Sequence, residues 1–166
     1  MTQAYFETED IHQTAIANNS RDSLTNLYDC DFNLWVEATA NLLRSGKLTE
    51  IDVVNLLEDV ESMGNSDKLA LSSNLVVVLL HLLKWQYQPN KRTRSWEKSI
   101  AEHRRRIRKI FQGSPSLRNY FQKTFDECYL DARKQAKIET RLPFENFPVN
   151  SPFTPVQVLD EDFLPE

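Results

Sequence analysis

The sequence predicts an all-α protein, a bundle of about five helices around one buried helix, and three observations predict it. The run Leu75-Val76-Val77-Val78-Leu79-Leu80-His81-Leu82-Leu83 lies in a periodic segment of about 67 to 87, too long for a strand and apolar on most of its circumference. A helix of that kind must lie inside something. Only three glycines occur in 166 residues, and Gly46 and Gly113 fall where amphipathic stretches end. Apolar residues on either side of the run repeat at three and four, the helical period. The three consecutive valines favour a strand locally, but packing overrides so weak a preference.

In chain order, residues 1 to about 22 are polar and aperiodic and predict a loosely docked arm. A first helix starts near Asp31 as N-cap, with Phe32, Trp35, Val36, Thr39, Leu42 and Leu43 on one face and Gly46 at C′. Thr49 opens a second helix with Asp52 three positions on, and Ile51, Val54, Leu56 and Leu57 form its buried stripe. Met63-Gly64 closes that helix, and Ser66 caps the central one, which ends before Pro89. Its apolar stretch falls short of the roughly 20 residues a bilayer requires, so no membrane is expected.

A turn over 88 to 93 leads to a fourth helix capped by Thr93 or Ser95. Trp96, Ile100, His103, Ile107, Ile110 and Phe111 line its inner face, and it stops at Gly113. Ser114-Pro115 restarts the chain as N-cap and N1. Leu117, Phe121, Phe125, Cys128, Ala132 and Gln135 face inward along a fifth helix to about Glu139. Beyond Leu142 the chain holds five of its seven prolines and four of its nine phenylalanines. Prolines so spaced exclude a helix, and the phenylalanines predict an extended strap docked on the bundle, or on another subunit. The organisation expected is an arm over 1–22, a bundle over 23–141 and a strap over 142–166.

The net charge of −4 conceals a segregation. Residues 1–83 carry 13 acids and 4 bases, residues 84–141 carry 16 bases and 6 acids, and residues 142–166 carry 5 acids and no base. Blocks of this kind face one another in the fold or present a partner surface. Cys30 and Cys128 are far apart and lack metal-ligand spacing, and the N-terminus has neither a basic nor an apolar leader region. Together these predict a reduced, cytoplasmic protein.

Several phrases occur together: Tyr28-Asp29-Cys30-Asp31-Phe32 with Trp35, Asn55 to Gly64, His81-Leu82-Leu83-Lys84-Trp85, Gln88-Pro89, Ser95-Trp96, Ser114-Pro115-Ser116-Leu117, and the ending from Phe147-Pro148 to Phe163-Leu164-Pro165. As a set they resemble the domain of unknown function 29 family over about residues 24 to 166. The resemblance implies a compact, single-domain helical protein of bacterial type, common among cyanobacteria. It implies no function and no catalytic residue; Asp59 stands where a second glutamate is more usual.

Two constellations carry chemistry. Glu58 and Glu61 lie three apart on one helix, and antiparallel packing of the first two helices would bring Glu37 level with Glu58. Three convergent carboxylates are how a bundle metal site begins, although the Glu-x-x-His partner pattern is absent. In a hairpin turning near residue 65, His81 would lie about 18 Å from the level of Glu61, which disfavours a mixed site. His81 itself reads as a core histidine bonded to a carbonyl or an Asp, with a ligand or proton-transfer role as the lesser alternative. The second constellation is basic: Lys98, Arg105 and Lys109 point outward, to solvent or phosphate, while Arg104 and Arg106 flank the core, free to meet the acids of the first two helices. A phosphate-rich partner such as nucleic acid would use the outer set together with Lys91, Arg92 and Arg94.

No nucleophile elbow, phosphate-cradling glycine loop, HExxH or paired CxxC occurs. The reading that follows is a non-enzymatic interaction module without cofactor, binding a protein or nucleic acid through Lys91, Arg92, Arg94, Lys98, Arg105 and Lys109. Whether the chain is an enzyme stays open: the alternative is a nuclease-like hydrolase using a divalent metal ion on Glu37, Glu58 and Glu61. A third possibility is a homo-oligomer in which the strap crosses between subunits.

Overall fold

The computed structural model describes residues 23–166, and no strand occurs among the described residues. The arm expected over 1–22 lies outside them. The chain divides into two compact units, Met1–Met63 and Gly64–Glu166.

In the N-terminal unit, α1 occupies residues 23–30 and α2 runs Phe32–Arg44. Asp31 between them caps α2, its carboxylate accepting from the Leu34 N–H at 3.1 Å. The C-terminus of α2 is closed by Gly46 at φ 68, with the Gly46 N–H on the Leu43 carbonyl and the Lys47 N–H on the Leu42 carbonyl. That pair of bonds satisfies two orphan carbonyls and requires the left-handed residue that glycine supplies. A 3₁₀ turn, Leu48–Glu50, leads to Asp52, which caps the next helix by accepting from the Asn55 N–H at 3.3 Å. The other Asp52 oxygen accepts from Thr25 Oγ1 at 2.8 Å and from Asn55 Nδ2 at 2.7 Å, tying α1 to the start of that helix.

The next helix, α3, is a single element of 35 residues, Val53–Tyr87. This corrects the expectation of two helices broken at Gly64. A helical glycine costs about 1 kcal/mol relative to alanine, too little to end a helix that is capped at Asp52 and anchored in a core further on. Gly64 has no left-handed φ and no neighbour within 4 Å of where a Cβ would lie. The apolar stretch is correspondingly longer than the sequence implied: α3 is long and apolar enough by composition to span a membrane. Part of the helix is buried within the protein. Leu71, Leu75, Val78, Leu79, Leu82 and Leu83 are each 0% exposed.

Those residues lie in the C-terminal unit, with α4 (Arg94–Gly113), α5 (Leu117–Thr140) and α6 (Pro155–Leu159). They share one core with Ile100, Ile107 and Phe111 of α4, and with Phe121, Phe125, Tyr129, Ala132 and Ala136 of α5. The tail contributes Phe147, Phe153 and Val158 to the same core, each burial being worth roughly 1.5–3 kcal/mol. The strap therefore docks on its own chain. It is not wholly extended: Pro155 occupies the first turn of α6, where a missing N–H costs nothing, and Thr154 and Gln157 form a capping box. Proline spacing misled the sequence reading there.

Three side chains of α4 and α5 hold the strap by its backbone. Tyr129 donates to the Pro148 carbonyl at 2.6 Å. Arg133 donates to the carbonyls of Phe147 at 3.0 Å and Phe144 at 3.4 Å, its guanidinium 3.8 Å above the Phe144 ring. Arg104, 1% exposed, donates to the carbonyls of Val158 (2.8 Å), Phe163 (2.9 Å), Gln157 (3.3 Å) and Glu161 (3.3 Å).

Candidate interaction surface

Helix α4 begins at Thr93, whose hydroxyl accepts from the Trp96 N–H. At about 100° per residue, Arg94, Lys98, Arg105 and Lys109 fall within an arc of about 60° along roughly 22 Å of helix. All four are exposed, as is Lys91 in the preceding turn. Arg92 is not part of that free edge. Its Nε donates to the Trp85 carbonyl at 3.0 Å and its guanidinium lies 5.1 Å from the Trp85 ring, so it locks the turn.

Arg105 is exposed but engaged. It grips Glu102 through two bonds of 2.8 Å, and Arg106 adds a third of 2.8 Å. These hydrogen bonds, Arg105 first, hold the Glu102 carboxyl down at about 2. Arg108 pairs with Glu161 of the tail. The expectation that Arg104 and Arg106 are free to meet acids of the first helices is thus corrected: Arg104 is spent on four tail carbonyls and Arg106 on Glu102. Among the described residues, Lys91, Arg94, Lys98 and Lys109 form no ion pair.

The carboxylates of the alternative reading are dispersed. Glu37, Glu58 and Glu61 are each exposed, and among the described residues no group of three or more His, Cys, Asp or Glu side chains is placed to hold a metal ion. The reason is helical phase. The partly or fully buried residues of the first turns of α3 are Asp52, Asn55, Leu56 and Asp59, and at about 100° per residue Glu58 and Glu61 point away from them. Asp59, not either glutamate, is the acid set against α1: it faces Tyr28, whose hydroxyl pKa is raised by burial and then by Asp59 and Glu58. Among the described residues, Asp59 Oδ2 and, on α2, the buried Trp35 Nε1 and Thr39 Oγ1 meet no hydrogen-bond partner. Sequence reasoning missed Asp59 because it assigned Val54 and Leu57 to the buried stripe; Val54 is 77% exposed.

His81 and His103 are structural. His81 Nδ1 donates to the Val77 carbonyl at 3.0 Å, and His103 Nδ1 meets Asn74 Oδ1 at 2.7 Å while Asn74 Nδ2 donates to the Ala70 carbonyl. Burial lowers the pKa of both. Lys84 reaches Glu139 at 2.6 Å and lies 4.7 Å from the Trp96 ring, and Trp96 is half-buried rather than a free stacking platform. An open groove of about 540 Å³ runs between α3 and α5, floored by Cys128, whose thiol bonds to Thr124 and to the Ser72 carbonyl and is pushed up by burial. A thiol so held is a poor nucleophile.

Two findings place the chain among known proteins. The family model described as "Domain of unknown function DUF29" matches residues 27–164. No curated protein and no solved structure is significantly similar to the chain.

Proposed function

The chain belongs to the DUF29 family of uncharacterised domains, and from that premise we propose that it is a non-enzymatic interaction module whose α4 edge docks an acidic protein. One observation carries this reading: the exposed stripe Arg94, Lys98, Arg105 and Lys109, extended by Lys91, on a helix whose inner face is fully committed to the core. Like charges in one line along a solvent-facing helix repel one another, and an acidic surface docked on them relieves that repulsion.

The count of cations favours a protein over a nucleic acid. Arg92, Arg104, Arg106 and Arg108 are held by the protein itself and Arg105 is shared with Glu102, which leaves four unengaged cations at this edge among the described residues. A nucleic-acid footprint ordinarily neutralises more phosphates than that.

The test is a titration of the full chain with fluorescent poly-glutamate and, separately, with a duplex DNA of 20 base pairs, each at 50 and 200 mM salt. Binding of the acidic polypeptide that weakens with salt and is lost in Arg94→Glu/Lys98→Glu is the expected result. Tighter binding of the duplex would move the partner to nucleic acid. Failure of both probes at 50 mM salt would overturn the reading.

A further inference from the structure

The core-facing stripe of α3 does not stop where its core does. At about 100° per residue Val53, Leu57 and Val60 occupy the same 60° arc as Leu71, Leu75, Val78 and Leu82. The last four are 0% exposed, whereas Val53, Leu57 and Val60 are 58%, 55% and 56% exposed. Three large side chains on one helical face, flanked by exposed Val54 and Met63, form an apolar surface of the kind that marks a docking site. Its edge is acidic: Glu61 borders the stripe, Glu58 lies beside it, and residues 23–63 carry 8 acids against 2 bases.

The C-terminal unit carries a receptor of the complementary character. A recess of about 350 Å³ opens at the end of α4, lined by Arg106, Lys109, Ile110, Gly113 and Ser114 together with Asp67 of α3. Its exposed lining is largely apolar, and its cations stand at the rim, with Lys109 unpaired among the described residues.

We propose that Leu57, Val60 and Glu61 of α3 dock in the Arg106–Lys109–Ile110 recess of a second copy of this chain, forming a two-fold dimer. Charge complementarity selects the occupant: an apolar stripe with an acidic edge meets an apolar recess with a basic rim, and one chain carries both. Two copies that exchange these contacts reciprocally bury the same patches on both, so the interface is self-complementary and closes on itself. The proposal does not depend on the Arg94–Lys98 end of α4, which remains outside the interface.

The experiment is sedimentation equilibrium of the full chain from 1 to 100 µM at 50 and 500 mM salt, with circular dichroism to verify folding. The wild type is expected to be a dimer whose dissociation constant rises at least tenfold at high salt. Leu57→Arg/Val60→Arg, both at exposed positions, should be monomeric with an unchanged spectrum, Lys109→Glu should weaken the dimer at least tenfold, and Lys109→Glu/Glu61→Lys should restore it. A wild type monomeric at 100 µM would overturn the proposal, as would a dimer indifferent to these substitutions. Loss of acidic-peptide binding with the dimer intact sinks the α4 reading alone; a monomer that still binds the peptide sinks this one alone.

Discussion

Arg104 Nε donates to the Val158 carbonyl at 2.8 Å across 54 residues of chain, from a position beneath the tail where, among the described residues, no carboxylate pairs with it. Desolvation lowers its pKa to about 10, offset in part by Asp160 and Glu161 nearby. The charge is stabilised by four backbone carbonyl dipoles, so the fork geometry of arginine matters as much as its charge. Arg104→Lys is expected to destabilise the protein by about 3 kcal/mol, because one ammonium cannot span four carbonyls and the remainder lose their partner. Arg106→Lys, which keeps the charge at an exposed position beside Glu102, should leave the midpoint nearly unchanged at low micromolar protein. Urea unfolding distinguishes them; equal midpoints would refute the clamp.

Gly64→Ala should stabilise the protein. Its backbone is not left-handed, and nothing lies within 4 Å of the added Cβ, so the substitution only removes freedom from the unfolded chain. The gain expected is about 0.5–1 kcal/mol, read as a rise in melting temperature at low micromolar protein. A loss would mean that α3 is interrupted there.

The tail should show a sharp contrast between neighbours. Phe153→Ala opens a cavity in the core and should cost about 3–4 kcal/mol. Val156→Ala, at 78% exposure three residues later, should change stability by less than about 0.5 kcal/mol. Similar effects at the two positions would contradict the docking register of α6.

Stability should fall as pH drops below neutrality. His81 and His103 have pKa values lowered below the ordinary 6.5 by burial, so the unfolded chain binds protons before the folded one does. The stabilisation is fully present above 6.5 and is lost as pH falls from there through the lower folded values. Melting temperatures measured from pH 7.5 to 5 should decline for the wild type and flatten in His81→Asn/His103→Asn. A double variant with the same slope as the wild type would assign the decline to other groups.

The elements that were legible in the sequence are those whose signals are local. Asp31, Gly46, Thr93 and Gly113 mark helix ends because caps act within one turn, and the structure has them at those ends. Gly64 misled because a glycine punctuates a helix only when its φ turns positive, a property of backbone and not of composition. Asp59 was illegible for another reason: the apolar residues Val54 and Leu57 suggest a buried face, whereas the partly buried positions there are Asn55, Leu56 and Asp59. The destination of Arg104 was illegible for a different reason: its acceptors are main-chain carbonyls, which every residue possesses and no sequence pattern advertises.

The core of the C-terminal unit takes Phe147, Phe153 and Val158 from the last twenty residues of the chain. During synthesis from the N-terminus, α3, α4 and α5 are therefore complete while one wall of their core is still missing. The nascent chain keeps an apolar cleft open until the segment from Phe147 to Val158 has left the ribosome. A message truncated between Thr140 and Phe147 yields a product with α3, α4 and α5 but no closed interior, a natural client for chaperones and proteases.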